Sequence, residues 1–307
     1  MKSLGETLSL DDIKIIERAD IDQIRDSLSR KPIVLRSFDT FVRSLLELKY
    51  GIIVSGREPA WDTLEKLTIL FSDLVVPTSI SLLVQEPDDD NVIVIPPRVV
   101  YAKRSLYAFS VGSTRSVYKS ILIDDGRDKN INKVQKYLLK REILPENERV
   151  DHEAYLARVR TANYLATQFT LAVSDRFDFP AVKFVTAGVG QIVNQRGKPF
   201  CLVEDEIPTN HWRDVSRSTD FAAFDAAIVD AYCHWTYLVT DRQIVVVACK
   251  GRFCAEEGRR GSFIMTNPTV YSTNMSRFQP GNKGQCGIDR FFVTHICNQY
   301  CTQPAQA

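Results

Sequence analysis

The chain has 307 residues, 44% of them hydrophobic and 25% charged, which is enough for one large domain with an extension or for two domains. Its formal net charge of +1 provides no general attraction to nucleic acid or to an acidic membrane, so we expect neither as a partner. The opening residues lack the apolar core of a signal peptide, and no run approaches the roughly 20 apolar residues of a membrane span. We therefore expect a soluble, cytoplasmic protein.

The N-terminal part of the sequence predicts helices. Apolar residues recur at near-helical spacing over 13–28, 38–48 and 61–74, and Pro32, Gly51 and Pro77 mark their ends. We interpret residues 1–90 as a helical N-terminal extension that serves for docking or regulation.

A charged loop at 86–90 precedes a change to short β-branched runs, and it marks the predicted boundary of a second domain, residues 91–303. Strands are predicted at 92–95, 99–101, 116–123, 135–139, 181–193, 200–203 and 244–247. Helices are predicted at about 153–169 and 221–232. The mixture predicts an α+β fold.

The seven cysteines all lie between Cys201 and Cys301, a distribution that favours a local metal site over a disulfide framework. His295, Cys297 and Cys301 stand within seven residues, and such nitrogen and sulfur ligands suit tetrahedral zinc. His234 is the main candidate for the fourth ligand. Free buried cysteines with hydrogen-bonded histidines are the alternative, and Cys233 or Cys286 could be mistaken for ligands.

Residues 281–301, GNKGQCGIDRFFVTHICNQYC, resemble the closing signature of the alpha-kinases, atypical protein kinases that include elongation factor-2 kinase and the myosin heavy chain kinases. The matching features are a glycine- and asparagine-rich loop, paired aromatics and H-x-C-N-x-x-C. Residues 231–237, AYCHWTY, are similar to the family's A-F-S-H-F-T-Y. The resemblance implies a two-lobed alpha-type kinase fold with a structural zinc held by His234, His295, Cys297 and Cys301.

Three further segments resemble the family's nucleotide-binding elements. Residues 109–118 are similar to its short phosphate-covering loop, which implies that Gly112 and Arg115 approach the phosphates. Lys140 matches the ATP-binding lysine, and Glu204 matches a glutamate that contacts adenine at the hinge. A Gly-Ser turn and a surface lysine are the ordinary alternatives for the first two. ATP is therefore a possible ligand.

The catalytic motifs depart from the family's pattern. Where the family has V-D-x-Q-G, this chain has residues 247–251, VACKG, so Ala248 replaces the aspartate that orients the substrate hydroxyl and Lys250 replaces a metal-holding glutamine. Asn267 replaces the metal-binding aspartate of T-D-P. Magnesium prefers carboxylate partners, which makes a magnesium cofactor doubtful. No catalytic residue is assigned.

The leading hypothesis is a pseudokinase that keeps the alpha-kinase fold with its structural zinc, has ATP as a candidate ligand, and acts by binding an unidentified protein partner or substrate. A divergent active serine/threonine kinase, or another ATP-using transferase with Lys140, Arg115 and Lys250 around the phosphates, is the alternative. A purely structural domain without nucleotide is the third hypothesis.

Overall fold

The structure is a computed structural model of the chain. It describes residues 52–301 except 54, 56–58, 60–63, 72–73, 78, 85–91, 112–114, 124–135, 144–147, 175, 178–179, 208–212, 215–222, 248–249 and 255–260. The helices are α1 (Ile80–Val84), α2 (Glu148–Ser174), α3 (Ala223–Val239) and α4 (Gly284–Thr294). The strands are β1 (Glu65–Phe71), β2 (Leu74–Pro77), β3 (Val92–Ile95), β4 (Arg98–Arg104), β5 (Ser110–Val111), β6 (Arg115–Ile123), β7 (Lys136–Glu142), β8 (Ala181–Phe184), β9 (Ala187–Ile192), β10 (Phe200–Asp205), β11 (Arg213–Asp214), β12 (Ile244–Val247), β13 (Lys250–Cys254), β14 (Ser262–Thr266) and β15 (Thr269–Ser272).

The largest sheet closes on itself. Its strand order is β4-β1-β9-β10-β7-β6-β5, and β4 pairs with β6 as well as with β1. Six antiparallel strands therefore form a ring, and alternate residues of each strand point inward. The interior is apolar and contains Leu67, Ile69, Ala102, Leu139, Ile192, Cys201 and Val203. The outer face of β6, β7 and β10 carries the polar side chains described below.

The second half of the chain surrounds α2 and α3. Helix α2 has a buried stripe at spacings of three and four residues, and this stripe contains Tyr155, Leu156, Val159, Ala162, Leu165, Ala166, Phe169 and Val173. Phe169 contacts Tyr232 and Trp235 of α3 edge-on, with ring centroids 5.7 Å apart in both pairs. A four-stranded sheet, β11-β13-β14-β8, and the β12-β15 pair pack around this core.

Most of the predicted strands and helices after residue 90 are confirmed. Strands β3 and β12 have the predicted bounds, and helices α2 and α3 begin or end within a turn or two of those expected. The strand predicted over 181–193 is two strands, β8 and β9, which belong to different sheets. All four residues of β12 are buried, as its unbroken β-branched run requires. The mixed α+β class is thus confirmed.

The helix predicted over 61–74 is wrong. Residues 65–71 form β1, which pairs with β4 and β9 and makes this part of the predicted extension a strand of the ring. Leu67 and Ile69 alternate inward, a period-two pattern that the chance helical spacing of Leu64, Leu67 and Phe71 obscured. The predicted helices at 13–28 and 38–48 lie outside the described residues, and the division at residue 90 stays a prediction.

Within the described part of the chain, none of the helices is long and apolar enough to cross a membrane.

Candidate functional site: a His/Cys cluster and a cationic face around Tyr155

Four potential metal ligands converge at the end of the chain. His234 lies on α3, and His295, Cys297 and Cys301 follow α4; their ligand atoms all lie within 4.8 Å of one another. His295 Nε2 is 3.0 Å from His234 Nδ1, and Cys297 Sγ is 3.5 Å from the same nitrogen. Cys301 Sγ is 3.6 Å from His295 Nε2. The structure therefore brings together the four residues proposed from the sequence.

Local interactions hold this group, here called the His/Cys cluster, in place. The backbone N–H of His295 donates to the carbonyl of Phe291 at 2.9 Å, which completes the last turn of α4, and the two rings are stacked 5.0 Å apart. Asn298 donates its side-chain amide to the carbonyl of Ala227 on α3 at 2.9 Å. The loop after α4 is thereby fixed against the helix that carries His234.

The chemistry of the His/Cys cluster fits a tetrahedral metal ion. Zn–N bonds of about 2.0 Å and Zn–S bonds of about 2.3 Å place ligand atoms roughly 3.3 to 3.8 Å apart, close to the distances found here. Burial lowers the pKa of His234, and burial with the neighbouring imidazole lowers that of His295, so both rings favour the neutral form that binds metals. Burial raises the pKa of the Cys301 thiol, and a bound cation would oppose that effect.

Lys140 and Glu204 form a buried ion pair on the outer face of the ring. Lys140 on β7 is opposite Leu202 on β10, and Glu204 is two residues further along, so both side chains point to the same face. Their side chains are 9% and 2% exposed. Burial opposes the charge of Lys140, but its interactions with the Glu204 carboxylate and with Tyr155 together outweigh burial, and the pKa of Lys140 lies above its ordinary value.

Arg115 forms a second ion pair beside the first. It is directly opposite Glu142 across β6 and β7 and pairs with that carboxylate. Its Nη2 also donates to the backbone carbonyl of Asp151 in the first turn of α2, at 3.1 Å. Both cations expected to meet phosphate are thus present on one face, each already paired with a glutamate.

His152 is fully buried behind Arg115, with its Nδ1 3.8 Å from a carboxylate oxygen of Glu142. Burial lowers its pKa to about 3, and the nearby charges of Arg115, Arg141 and Lys140 add to the effect. His152 is therefore neutral at physiological pH and cannot contribute charge to a bound anion.

Tyr155 of α2 lies at the centre of these charges and is 3% exposed. The Arg115 guanidinium carbon is 4.7 Å and the Lys140 ammonium 5.4 Å from the centre of its ring, and Arg158 is 5.7 Å away. Such contacts between cations and a ring face are attractive. Arg158 is itself anchored by carbonyls of the loop 278–280, at 2.9 to 3.3 Å.

The Tyr155 hydroxyl connects β10 of the ring to the end of β14. It lies 3.0 Å from Glu204 Oε2, 3.2 Å from Thr266 Oγ1 and 2.9 Å from Asn267 Oδ1. Burial is the main reason that the pKa of Tyr155 is raised, so the phenol keeps its proton. We call Lys140, Glu204, Tyr155, Thr266 and Asn267 the Tyr155 network.

The remaining residues proposed from the sequence have different outcomes. Lys250 is exposed and pairs with Thr266 in the register of β13 and β14. Asn267 has a φ of 52°, a left-handed conformation that asparagine tolerates better than most residues. Gly112 and Ala248 lie outside the described residues.

Sequence reasoning did not find Tyr155, Glu142 or Arg158. Tyr155 falls on the buried stripe of α2, where an aromatic residue normally indicates core packing. Glu142 could have been noticed, because it follows Lys140 by two residues on the same strand and therefore shares its face. Arg158 gave no signal beyond lying one turn after Tyr155 on a helix.

A family model for the alpha-kinase family matches residues 110–301. The chain therefore belongs to the alpha-kinase family.

Among curated relatives, alpha-protein kinase vwkA of Dictyostelium discoideum is 26% identical over 195 residues, which is 63% of this chain and 29% of that protein. The chain spans less than a third of the length of the curated relatives it matches.

Solved structures share the fold. An alpha kinase from Entamoeba histolytica has a TM-score of 0.59 and 17% identity, with 80% of this chain and 91% of that one covered. The inactive alpha-kinase domain of myosin-II heavy chain kinase A, with an aspartate replaced by alanine and complexed with ATP, has a TM-score of 0.55 and 16% identity, with 81% and 97% covered.

Proposed function

We propose that this alpha-kinase domain is a pseudokinase, which binds ATP at the cationic face around Tyr155 without transferring a phosphoryl group. The observation that carries the proposal is the position of Asn267: a neutral amide, held by the Tyr155 hydroxyl, stands where the family resemblance places a metal-binding aspartate. Ala248, which stands where the family's V-D-x-Q-G motif has its aspartate, has no group that can accept a proton. Without these two carboxylates, most of the electrostatic stabilisation of phosphoryl transfer is missing.

ATP binding is supported by the arrangement of cations. Arg115 and Lys140 lie on one face, and an ammonium group has three N–H donors, so Lys140 can contact phosphate while it stays paired with Glu204. The myosin-II heavy chain kinase A domain also supports separating binding from transfer, since its inactive aspartate-to-alanine form is complexed with ATP. A contact between Glu204 and adenine stays a prediction, because its carboxylate pairs with Lys140.

The residues of the Tyr155 network do not fit a magnesium ion. Magnesium is usually held by one or two carboxylates with waters and phosphates. Here Glu142 and Glu204 are each paired with a cation, and Asn267 offers only a neutral oxygen. We therefore assign magnesium no role in the protein's own site.

We also propose that the His/Cys cluster holds a structural zinc ion through His234, His295, Cys297 and Cys301. Such an ion would link the end of α3 to the loop after α4 and would contribute directly to folding free energy. Elemental analysis should find about one zinc per chain, and Cys297→Ser should lower that content. Full zinc content in that variant would contradict the ligand set.

The biological role that we propose is binding an unidentified protein partner or substrate, with ATP as a regulator and residues preceding β1 as a docking or regulatory element.

The test of the proposed function combines binding and transfer. Because a ligand that binds the folded state raises its stability, ATP should raise the unfolding temperature of the parent but not of Lys140→Met. The same sample should transfer no label from γ-labelled ATP to itself or to a threonine-rich substrate. Absence of the ATP shift, or transfer that Lys140→Met abolishes, would contradict the proposal.

A further inference from the structure

Two acceptors compete for one proton in the Tyr155 network. The phenol has a single O–H, and both Glu204 Oε2 and Asn267 Oδ1 lie within 3.0 Å of its oxygen. An amide removes the conflict, since a half-turn of the Asn267 side chain presents Nδ2 as a donor to the phenol oxygen while Tyr155 donates to Glu204. An ionised aspartate has no donor, so it would place a second carboxylate against Glu204 with one proton between them.

Several cationic side chains lie around this network. Arg115, Lys140 and Arg158 surround the Tyr155 ring. Residues directly opposite each other on paired strands point to the same face, so Lys250 lies on the face of β13 and β14 from which Thr266 Oγ1 reaches Tyr155.

An acidic residue lies near or opposite each of these four cations. Glu142 pairs with Arg115 and Glu204 with Lys140. Asp151 attracts Arg158, and Asp214 is directly opposite Lys250 in the register of β11 and β13. An anion that enters therefore meets N–H donors that the protein itself provides, since a paired ammonium or guanidinium keeps further donors free.

The metal-ligating side chains among the described residues also argue against a magnesium site in the Tyr155 network. Among those residues, the His/Cys cluster is the group of three or more histidine, cysteine, aspartate or glutamate side chains that could hold a metal ion, and the Tyr155 network contains no such group. Magnesium entering with ATP would meet the Asn267 amide and nearby cations instead of the carboxylates it prefers.

We infer that the site takes ATP as the free polyphosphate anion rather than as its magnesium complex, and that Asn267 sets this preference. The inference rests on the proposed function and names the ionic form of its ligand. Arg115, Lys140 and Lys250 supply the positive charge that magnesium would otherwise bring. The Asn267 amide keeps the Tyr155 network intact without adding a negative charge beside the phosphates.

Calorimetric titration of the parent protein with ATP tests this directly. One buffer is freed of divalent ions with a chelating resin before the protein is added, so that zinc stays in the His/Cys cluster, and the other contains excess magnesium chloride. The dissociation constant in the magnesium-free buffer should be equal to or lower than that in the magnesium buffer. Binding at least tenfold weaker without magnesium would overturn the inference while leaving the proposed function standing. Absence of binding in both buffers would overturn the two together.

Two variants of Asn267 separate the effect of an added negative charge from the effect of removing the amide. Asn267→Asp should weaken ATP binding about tenfold in the magnesium-free buffer, since two carboxylates near one phenol repel each other and the phosphates. Magnesium should restore much of that affinity. Asn267→Ala, which adds no charge, should stay independent of magnesium. If Asn267→Asp shows no new dependence on magnesium, Asn267 does not set the preference.

Discussion

The His/Cys cluster and the Tyr155 network join distant parts of the chain by opposite means. In the cluster, four potential ligand atoms lie within 4.8 Å of one another, a group that could hold a metal ion from outside. In and beside the network, the chain itself supplies both cations and carboxylates, in the Lys140–Glu204 and Arg115–Glu142 pairs. The fold thus gathers nitrogen and sulfur ligands where we propose an external cation, and supplies its own cations where we propose a nucleotide.

Loss of a cluster ligand should have the largest effect on stability. Cys297→Ser should lower the free energy of unfolding by about 5 kcal/mol or more, because binding of structural zinc is itself folding free energy. Denaturant unfolding with zinc present measures it. The matched control is Cys286→Ser on α4, whose thiol is exposed and outside the cluster; equal losses in both variants would show that the cluster has no special role.

Breaking the Lys140–Glu204 ion pair should lower the free energy of unfolding somewhat less than the loss of a cluster ligand. Lys140→Met leaves Glu204 buried without its cation, which should lower the free energy of unfolding by about 3 to 5 kcal/mol. The double variant Lys140→Met with Glu204→Gln should recover part of that loss, and exposed Lys183→Met on β8 serves as control. A double variant as unstable as the single one would contradict a charge-balanced pair.

A substitution in the loop that leads into α4 should cause a smaller loss of stability. The buried Asn282 side chain accepts from the backbone N–H groups of Ser272 and Gly284 at 2.9 Å and donates to three carbonyls at 2.9 to 3.2 Å. Asn282→Ala leaves these groups unpaired and should cost about 2 to 4 kcal/mol by denaturant unfolding. Gln285→Ala, which removes an exposed amide in the first turn of α4, should change stability little.

His152 should make the Tyr155 region sensitive to acid. Its pKa falls from 6.5 to about 3 on folding, so between these values the unfolded state binds a proton that the folded state does not. Stability contributed by neutral His152 is therefore lost as pH falls, by about 2 kcal/mol between pH 7 and pH 5. Unfolding measured across that range should show a shallower slope for His152→Leu. An unchanged slope would contradict the assignment.

Sequence reasoning succeeded where the chemistry is local. His295, Cys297 and Cys301 lie within seven residues, and the unbroken β-branched run of β12 favours a buried strand. It failed where long-range pairing decides the outcome. The strand β1 is specified by partners on β9 more than a hundred residues later, so its local pattern was misread as a helix.

The candidate nucleotide site likewise could not be predicted completely from local sequence patterns. Arg115, Lys140 and Glu204 were found through family resemblance, but nothing in the local pattern identifies Tyr155 as the residue that joins them. Its contacts come from β6, β7, β10 and β14 at once. Only folding brings these strands to one face of α2.

Single-turnover transfer from γ-labelled ATP separates a pseudokinase from an active kinase, with protein in excess of the nucleotide and bound ATP quantified in the same sample. Parallel reactions with and without magnesium, and with Lys140→Met, complete the design. The account predicts that the parent retains bound ATP and that all label stays on the nucleotide. Transfer of label to protein by the parent, abolished in Lys140→Met, would show an active kinase and contradict the account.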